Sequence, residues 1–407
     1  MNYKFSRIDS FIGNTYNANH FFHRPCPLCG SERSEKVWGV GDFQFFSDSS
    51  IASKRANITD VQCNDCLCLY RNPCFTDTGF AALFREAGCS YGAAEQRPEE
   101  QIKWLATRGL LQPGKVFLDV GCYEGAFLSR LPPSVRRIGV DCDADAIARG
   151  SKGQNGVTLY HSRFETFHPT EKPDVITMFH VLEHLTSPRK VLERLADIST
   201  ENAELVVEVP LLETGDTNDI NGFFSVQHVT HFTESTLSEM LRSSGWNIEL
   251  STNISHYNGF RVLATKTRSH PIEIRSHSDD CILLKEHLRT WHTAIDRVEN
   301  KLSHLPENGK FIIWGGGMHT ELLYQRTSFF RQGDRRFLLV DNDPLKLGTS
   351  WRGLEVASPK ELVNLHGAYD YVLISSYGSQ DEINKRIRSL GVDPIKIVIL
   401  YDQSRAY

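Results

Sequence analysis

Phe117-Leu-Asp-Val-Gly-Cys-Tyr-Glu-Gly-Ala-Phe-Leu128 joins one apolar run to another through a loop that contains two glycines. The pattern predicts a buried strand, a tight turn and the start of a helix. Gly121 permits the turn, and Gly125 lets the backbone approach a ligand closely. Asp141 stands 22 residues after Asp119, at the end of the next apolar run. A carboxylate at that position can accept hydrogen bonds from the hydroxyls of an adenosine ribose.

The charge of this loop indicates the kind of ligand. The loop has neither the third glycine of dinucleotide-binding loops nor a Lys-Ser/Thr pair for phosphate. Asp119 and Glu124 would repel a pyrophosphate, and they favour a cationic ligand instead. S-adenosylmethionine (SAM), which carries an ammonium and a sulfonium, fits this description.

The neighbouring segments alternate between strand and helix patterns. The predicted strands are Val116–Val120, Arg137–Asp141, Asp174–Met178 and Glu204–Val209. A helix is predicted over 187–198. Such alternation is typical of parallel βαβ units. We therefore expect an α/β, Rossmann-like domain over residues 76–268, entered through a helical segment.

A second alternating unit follows a polar stretch at 265–280. A helix is predicted over 281–302. The predicted strands after it are Phe311–Trp314, Phe337–Val340, Tyr371–Ile374 and Lys396–Leu400. These elements predict a C-terminal Rossmann-like α/β domain over 269–407. Its glycines, Gly315-Gly-Gly317, follow the first strand and allow either a second nucleotide site or tight packing without a ligand.

The N-terminal region is rich in cysteine. Cys26-Pro-Leu-Cys29 and Cys63-Asn-Asp-Cys66 are two CxxC pairs with 33 residues between them. Each pair places two thiolates on one side of a tight loop, and two pairs complete the tetrahedral S₄ shell that suits zinc. We expect residues 1–75 to form a zinc-binding module with a structural ion, because four thiolates leave no open coordination position. Cys68 could replace Cys66 as a ligand.

Two further motifs carry a family resemblance. Asp174-Val-Ile-Thr-Met-Phe-His-Val-Leu-Glu-His-Leu-Thr-Ser-Pro188 and Gln227-His-Val-Thr-His-Phe-Thr-Glu-Ser-Thr-Leu237 resemble segments of class I SAM-dependent methyltransferases. The order of a Cys₄ module, this core and a Rossmann-like C-terminal unit is similar to the zinc-containing sugar C-methyltransferases, which act on nucleotide-linked deoxysugars. Two further segments are similar to parts of the same sugar C-methyltransferases. They are Cys63-Asn-Asp-Cys-Leu-Cys-Leu-Tyr-Arg-Asn-Pro73 and Val340-Asp-Asn-Asp-Pro-Leu-Lys-Leu-Gly348. The resemblance covers nearly the full length.

The resemblance implies SAM as cofactor and a structural Zn²⁺. The residues expected to bind SAM are Asp119, Gly121, Gly125, Asp141, Arg163, Phe164 and His180. Gly121 and Gly125 would line the methionine end, and Asp141 would hold the ribose. The backbone at Phe164 would meet the adenine edge. His180, at the end of the fourth strand, would face the cofactor.

The resemblance also implies a base for the acceptor. In the sugar C-methyltransferases a Glu-His pair supplies a histidine that removes a proton next to a 4-keto group, which gives an enolate. Here His228 and Phe232 match, whereas Gln227 replaces the acid and His231 replaces a tyrosine. We expect C-methylation with His228 as base. Methylation of a sugar or other small-molecule hydroxyl is the alternative.

Other residues are expected on the acceptor side. His180 and Tyr91 are candidate catalytic residues, and Tyr91 could instead belong to a surface lid. Glu183 and His184 could take part in chemistry or form a charge pair that caps a helix start. His231 is expected to pack the loop. In the C-terminal unit, glycine amides at 316 and 317 could meet the phosphate of a nucleotide sugar.

Composition narrows the partner classes. The 407 residues are 40% hydrophobic and 23% charged, with a net charge of −5, which is ordinary for a globular protein. The absence of a strong basic field argues against nucleic acid. No apolar run approaches the ~18 residues of a membrane span, and the first residues show no signal pattern. We expect a cytoplasmic enzyme, plausibly monomeric, with a small-molecule substrate. A non-catalytic binding protein and a methyltransferase acting on a protein are the rival hypotheses.

Overall fold

Three larger β-sheets and a two-stranded ribbon organise the computed structural model of this chain. The structure describes residues 4–8, 14–15, 18–45, 54–84, 97–153, 156–214, 223–254, 258–272, 278–344, 346–365 and 367–402. Each of the larger sheets draws most of its strands from one part of the chain. The sequence analysis anticipated two of them and did not foresee the first.

The N-terminal sheet is antiparallel over its long strands. The strands are β1 (Asn14–Thr15), β2 (Phe21–Phe22), β3 (Ser34–Phe45), β4 (Lys54–Cys63), β5 (Leu69–Arg71) and β6 (Cys74–Phe75). β4 pairs with β1, β3 and β5, while β2 and β6 form the separate ribbon. Apolar residues of β3 and β4, such as Val40 and Ile58, are buried beneath the sheet. The two CxxC pairs lie at the end where β4 stops.

The central sheet has seven strands. The strands of this region are β7 (Val116–Val120), β8 (Arg136–Asp141), β9 (Val157–His161), β10 (Val175–Phe179), β11 (Glu204–Val209), β12 (Thr230–His231), β13 (Trp246–Ile254) and β14 (Gly259–Lys266). The order across the sheet is β13-β14-β11-β10-β7-β8-β9, with β12 elsewhere. From β11 to β9 all pairings are parallel, whereas β14 runs antiparallel to β11 and to β13. This confirms the α/β, Rossmann-like prediction, and the predicted bounds of β7 and β11 are those observed.

The helices agree with their sequence signals. Those described are Asp77–Phe84, Arg97–Thr107, Ala126–Ser129, Ala144–Gly150, Pro188–Ile198, Glu234–Ser243, Ser278–Ser303, Met318–Arg326, Glu361–Asn364 and Gln380–Ser389. Pro188 occupies the first helical position, where its missing N–H costs nothing. That helix buries Val191, Leu192 and Leu195 against the central sheet's core. None of the helices in the described ranges is both long enough and apolar enough to cross a membrane.

The C-terminal sheet is mainly parallel. Its strands are β15 (Asn308–Trp314), β16 (Asp334–Val340), β17 (Ser350–Trp351), β18 (Leu354–Ala357), β19 (Tyr371–Ile374) and β20 (Ile397–Val398). The order is β17-β18-β16-β15-β19-β20. β20 is shorter than the predicted strand at 396–400: Lys396 belongs to a 3₁₀ turn at Pro394–Lys396, and Ile399 and Leu400 lie beyond the strand. The parallel α/β prediction for this region is otherwise confirmed.

β12 does not belong to the central sheet. It pairs antiparallel with β5, with Thr230 opposite Tyr70 and His231 opposite Leu69. The pairing of β12 with β5 therefore attaches the segment that carries His228 to the cysteine-rich region. The predicted boundaries at 75 and 268 remain a prediction about how the chain divides.

Buried polar contacts reinforce that junction. The Arg24 guanidinium donates hydrogen bonds to the carbonyl oxygens of Arg71, Thr186 and Val229. Arg189 donates to the Leu28 carbonyl at 3.1 Å. Because these donors join the cysteine loops to the start of one central helix, the cysteine-rich region packs directly on the central domain.

Candidate functional site

The glycine loop after β7 has the backbone shape that the sequence predicted. Gly121 and Gly125 have φ angles of 78° and 77°, in the left-handed region that favours glycine. A Cβ on Gly121 would collide with the Val181 side chain. The Gly121 amide donates to the Val140 carbonyl at 2.8 Å, which holds the loop against β8. Glycine is therefore required here to bring the loop against the segment that follows β10.

Asp141 lies at the end of β8 and faces this loop. Its Oδ2 accepts a hydrogen bond from the Tyr123 amide and its Oδ1 accepts one from the Asp143 amide, both at 2.8 Å. A carboxylate oxygen has two acceptor positions, so one remains on each oxygen. Those two positions fit the paired hydroxyls of a ribose.

Asp119, at the end of β7, is buried and accepts a hydrogen bond from Thr177 Oγ1 at 2.6 Å. Burial raises the pKa of Asp119 to about 7, and the negative charge of Asp141 adds to the rise against the opposing effect of Thr177. A cationic ligand nearby would favour the ionised form. Glu124, by contrast, already forms an ion pair with Arg149 at 2.6 Å. The negative charge of Glu124 is therefore balanced within the protein.

The side chains of Arg163 and Phe164, the residues expected at the adenine edge, make contacts within the protein. The Arg163 guanidinium forms an ion pair with Asp77, and Phe164 is buried in the core. The Ser162 amide donates to the Asp141 carbonyl at 3.0 Å, so this segment stays beside the ribose position. A role for Phe164 in adenine binding therefore stays a prediction that rests on its backbone.

The residues of this pocket fit SAM. Two glycines give the loop its left-handed turns, Asp141 keeps acceptor positions for a ribose, and Asp119 supplies negative charge for a cation. No basic side chain takes part in the hydrogen bonds of Asp119 or Asp141 described above, as a phosphate-binding site would need.

His180, directly after β10, has a φ of 55° and lies between two glutamates. Its Nδ1 is 3.2 Å from Glu183 Oε1, and its Nε2 is 3.1 Å from Glu208 Oε1. Burial alone would lower the pKa of His180, but the hydrogen bonds to both glutamates outweigh it and raise the pKa to about 9. His180 is therefore cationic at neutral pH. It holds Glu183 and Glu208 in place on the acceptor side, and the sequence analysis missed Glu208.

His184 and His228 face each other, with ring centroids 5.0 Å apart. His228 Nδ1 lies 3.0 Å from the Phe223 carbonyl oxygen, and His184 Nδ1 lies 3.1 Å from the Gln227 carbonyl oxygen. A carbonyl only accepts hydrogen bonds, so this network assigns the proton of each ring to Nδ1 and leaves the lone pair on Nε2. Burial and the neighbouring His184 lower the pKa of His228 to about 3, which keeps its ring neutral.

Glu183 and His184 do not cap a helix start. They lie in a 3₁₀ turn at Leu182–His184, and the next helix begins only at Pro188. Burial would raise the pKa of Glu183, yet the surrounding histidines lower it to about 2. Glu183 is therefore a buried carboxylate that points to the acceptor side. The alternative that Glu183 and His184 form a charge pair at a helix start is therefore wrong.

His231 packs the loop, as the sequence analysis expected. Its Nε2 contacts Asp60 Oδ1 at 2.9 Å, and its Nδ1 contacts the Phe223 carbonyl at 3.1 Å. Arg71 donates to Asp60 Oδ2 at 3.0 Å, and all three side chains are buried. Tyr91, the other candidate on this side, lies outside the described residues.

The four predicted cysteine ligands come together. Cys26 Sγ lies 3.4 Å from Cys66 Sγ, and Cys29 Sγ lies 3.6 Å from Cys63 Sγ. All four sulfurs lie within 4.8 Å of one another, which suits a tetrahedral ion with metal–sulfur bonds of ~2.3 Å. Cys68 is absent from this cluster among the described residues. The ligand swap considered from the sequence is therefore not the arrangement found.

Each CxxC pair forms the same tight turn. The Gly30 amide donates to the Cys26 carbonyl at 2.9 Å, and the Leu67 amide donates to the Cys63 carbonyl at 3.1 Å. Gly30 and Leu67 both have positive φ angles, 77° and 61°. The two turns present their thiols toward a common centre and could hold a metal ion.

The C-terminal unit repeats the hydrogen bonds of the first glycine loop. Asp341 Oδ2 accepts from the Gly316 amide at 2.7 Å, and its Oδ1 accepts from the Asp343 amide at 2.9 Å. Lys346 Nζ lies 3.4 Å from the same carboxylate. Because the Gly316 amide is engaged by Asp341, it is not free for the phosphate contact that the sequence analysis expected. Gly317 remains at the start of the following helix.

Two family models match this sequence. A model described as a methyltransferase domain matches residues 93–251. A model described as "C2185-like, N-terminal" matches residues 307–398. A search of curated proteins found no match. The first match spans the glycine loop, Asp141 and the histidine cluster.

Solved structures match part of this chain at low identity and low TM-score. Magnesium protoporphyrin IX methyltransferase from Synechocystis PCC 6803, solved with bound SAH, is 19% identical over 47% of this chain and 95% of that chain, with a TM-score of 0.36. A SAM-dependent methyltransferase from Aquifex aeolicus is 20% identical over 42% of this chain and 89% of that chain, with a TM-score of 0.36. An S-adenosylmethionine-dependent methyltransferase from Clostridium acetobutylicum ATCC 824 is 11% identical over 47% of this chain and 99% of that chain, with a TM-score of 0.37.

The assignment rests on the family match and on the site that it covers. The five parallel strands of the central sheet, the glycine loop after β7 and Asp141 at the end of β8 occur together within the matched residues. Residues 93–251 thus carry a methyltransferase domain with the class I fold, and the protein is an enzyme, a SAM-dependent methyltransferase.

Proposed function

We propose that this enzyme methylates a sugar, specifically a nucleotide-linked deoxysugar. The proposed reaction is C-methylation through an enolate, with methylation of a sugar hydroxyl as the alternative. The observation that carries this proposal is the histidine cluster beside the cofactor loop. Val181, between His180 and Glu183, packs against Gly121 of that loop. An acceptor at the cluster would therefore lie next to the proposed SAM position.

The chain's own residues would bind and orient the reactants. Gly121, Gly125 and Asp141 would hold SAM, which supplies an electrophilic methyl group when bound. His228 is the proposed proton acceptor, because its Nε2 lone pair is free of the Phe223 hydrogen bond and its ring is neutral. The acceptor carbon or oxygen would then bond to the methyl carbon as the carbon–sulfur bond breaks. Proximity and orientation would supply much of the acceleration.

A structural Zn²⁺ in the cysteine cluster is part of this proposal. Cys26, Cys29, Cys63 and Cys66 would form a closed S₄ shell, which has no position for a substrate. The ion would stabilise a region that lies directly against β12 and the loop that carries His228. We therefore assign it an organising role.

The C-terminal unit is proposed to bind the nucleotide of the substrate. Asp341 accepts from the Gly316 and Asp343 amides, as Asp141 accepts from two amides of its own loop, and Lys346 Nζ also donates to Asp341 Oδ2, so an acceptor position for a sugar hydroxyl remains on Oδ1. Lys346 offsets part of its charge. The Gly317 amide at the helix start remains for a phosphate.

Mass spectrometry of reaction products tests the proposal. The protein would be incubated with SAM and a panel of keto- and hydroxy-deoxysugar nucleotides. We expect one panel member to gain a single methyl group, and fragmentation would assign it to carbon or oxygen. His228→Ala should abolish turnover while SAM affinity is kept, with the exposed His292→Ala as matched control. Methylation of no sugar nucleotide by a protein that binds SAM would contradict the proposed acceptor.

A further inference from the structure

Glu183, His184 and His228 each offer a metal-ligating atom, and these three atoms lie within 4.8 Å of one another. We propose that this triad binds a divalent first-row transition-metal ion on the acceptor side of the methyltransferase domain. The site is distinct from the four-thiolate cluster. The inference rests on the proposed methyl transfer, and it replaces the role of His228 as proton acceptor with a role as metal ligand.

The two imidazoles are oriented as metal ligands usually are. His184 and His228 each direct Nδ1 to a backbone carbonyl, that of Gln227 and that of Phe223, at 3.1 and 3.0 Å. Histidines that bind metals commonly donate their second ring N–H to a carbonyl or carboxylate, which fixes the tautomer and the ring plane. In each ring Nε2 is then the nitrogen that could bind an ion.

The carboxylate provides an independent observation. Glu183 is only 1% exposed, and its Oε2 has no hydrogen-bond partner among the described residues. Its Oε1 lies 3.2 Å from His180 Nδ1 and 3.9 Å from His184 Nε2. A buried carboxylate oxygen without a partner is costly, and a bound cation would satisfy it.

The backbone holds these side chains together. The Val229 amide donates to the Glu183 carbonyl at 2.8 Å, so the turn with Glu183 and His184 is bonded to the loop with His228. His180 contacts both Glu183 and Glu208 and thereby fixes the Glu183 carboxylate. These contacts keep the three ligand groups close enough to share one ion.

The donor set indicates which ion fits. Two imidazole nitrogens and one carboxylate oxygen suit Zn²⁺, Mn²⁺, Fe²⁺ or Co²⁺, whereas Mg²⁺ and Ca²⁺ favour oxygen ligands. Three protein ligands leave coordination positions open for an acceptor oxygen.

The ion would lower the pKa of an acceptor hydroxyl or stabilise the negative charge of an enolate oxygen. His228 would then be a ligand, and the acceptor proton would pass to solvent. The acceptor atom would form its bond to the methyl carbon, and the electrons of the breaking carbon–sulfur bond would remain on sulfur as a neutral thioether. No further reactant is needed.

A Co²⁺ titration of the full-length protein tests the inference. The protein would be depleted of metal under reducing conditions and titrated with Co²⁺ while its absorption and bound cobalt are measured. We expect two equivalents, one with intense sulfur-to-cobalt charge-transfer bands and one with weak visible bands typical of nitrogen and oxygen ligands. Glu183→Gln and His184→Ala should each weaken the second site at least about tenfold, with the charge-transfer bands intact. His292→Ala is the matched control.

Two results would overturn the metal site. One is a wild-type protein that binds cobalt only with thiolate bands. The other is a second equivalent that both triad variants retain at unchanged affinity. SAM binding and sugar methylation, measured on the same samples, separate this inference from the proposed function. Methylation without a second equivalent would overturn the metal site alone, whereas a second equivalent without methylation of any sugar nucleotide would support the site and contradict the acceptor.

Discussion

Thr230 lies directly opposite Tyr70 in the antiparallel pairing of β12 with β5. The Arg71 amide extends this pairing with a 2.9 Å hydrogen bond to the Val229 carbonyl. The loop that carries His228 is therefore fastened to the strand that follows the second cysteine pair. The four cysteines of the cluster therefore lie next to the strand pair that holds this loop.

Loss of the cysteine site should loosen the acceptor loop before it affects SAM binding. In Cys63→Ser we expect faster amide hydrogen exchange at residues 229–231 and reduced turnover, because β5 loses its anchored end. Exchange within β7 should change little. Cys281→Ser, which removes a thiol outside the cluster, is the matched control. Unchanged exchange at 229–231 in a metal-free Cys63→Ser protein would show that the two features are independent.

Asp141→Ala should weaken SAM binding by about 10- to 100-fold, because charge-assisted hydrogen bonds contribute roughly 1.5–3 kcal/mol. Equilibrium dialysis with labelled SAM would measure the effect. Asp145→Ala, on the exposed side of the following helix, should bind like the wild type. An Asp141→Ala protein that is folded and binds SAM with wild-type affinity would refute the ribose assignment.

The pH dependence of stability should report on Asp119. Its pKa in the folded protein is raised from 3.8 to about 7, so the folded state holds a proton that the unfolded chain releases in this range. The stability associated with that proton is fully present below pH 3.8 and is lost as pH rises to about 7. Asp119→Asn keeps an acceptor for Thr177 and should be more stable than the wild type at pH 8.

SAM affinity provides a second readout of Asp119. Because a cation favours the ionised carboxyl, SAM should bind the wild type more tightly as pH rises from about 6 to about 8. Thermal unfolding and SAM titrations across this range, for wild type and Asp119→Asn, would measure both effects. Parallel pH profiles for the two proteins would contradict the assignment of the raised pKa.

Asp60→Ala should strongly destabilise the protein. Asp60 pairs with Arg71 at 3.0 Å, and both side chains are almost fully buried. Removing one partner leaves a buried unpaired charge, which typically costs about 3–5 kcal/mol. Urea-induced unfolding would measure the loss. Asp334→Ala breaks an exposed pair with Arg7 and should leave the stability nearly unchanged, because solvent screens an exposed ion pair. Equal effects of the two substitutions would show that the Asp60 pair is not a buried stabilising contact.

The sequence predicted the central and C-terminal sheets well because their strands are continuous apolar runs. β7, β11 and β19 have the predicted bounds, since each of them is a mostly buried apolar run. β3 and β4 were not foreseen, because polar and charged residues interrupt their apolar residues. β12 has only two residues, so no local pattern could reveal its partner.

The candidate site also contains residues that the sequence predicted and residues that only the structure shows. The glycines, Asp141 and the four cysteines have characteristic spacings, and the sequence found them. Glu208 and Asp60 lie within strands where a charged residue is normally exposed, and only the fold shows that both are buried and that each faces a histidine. The assembly of Glu183 with His228 depends on a contact between segments about 45 residues apart, which no sequence motif specifies.

Calorimetric titration of the full-length protein with SAM tests the account most directly. We expect saturable binding of one SAM per chain, lost or strongly weakened in Gly121→Val, because a side chain there would collide with Val181 and displace the loop. Circular dichroism would establish that the variant is folded. A folded wild-type protein that gives no heat and retains no SAM on dialysis would contradict the assignment of the glycine loop and Asp141 as a cofactor site.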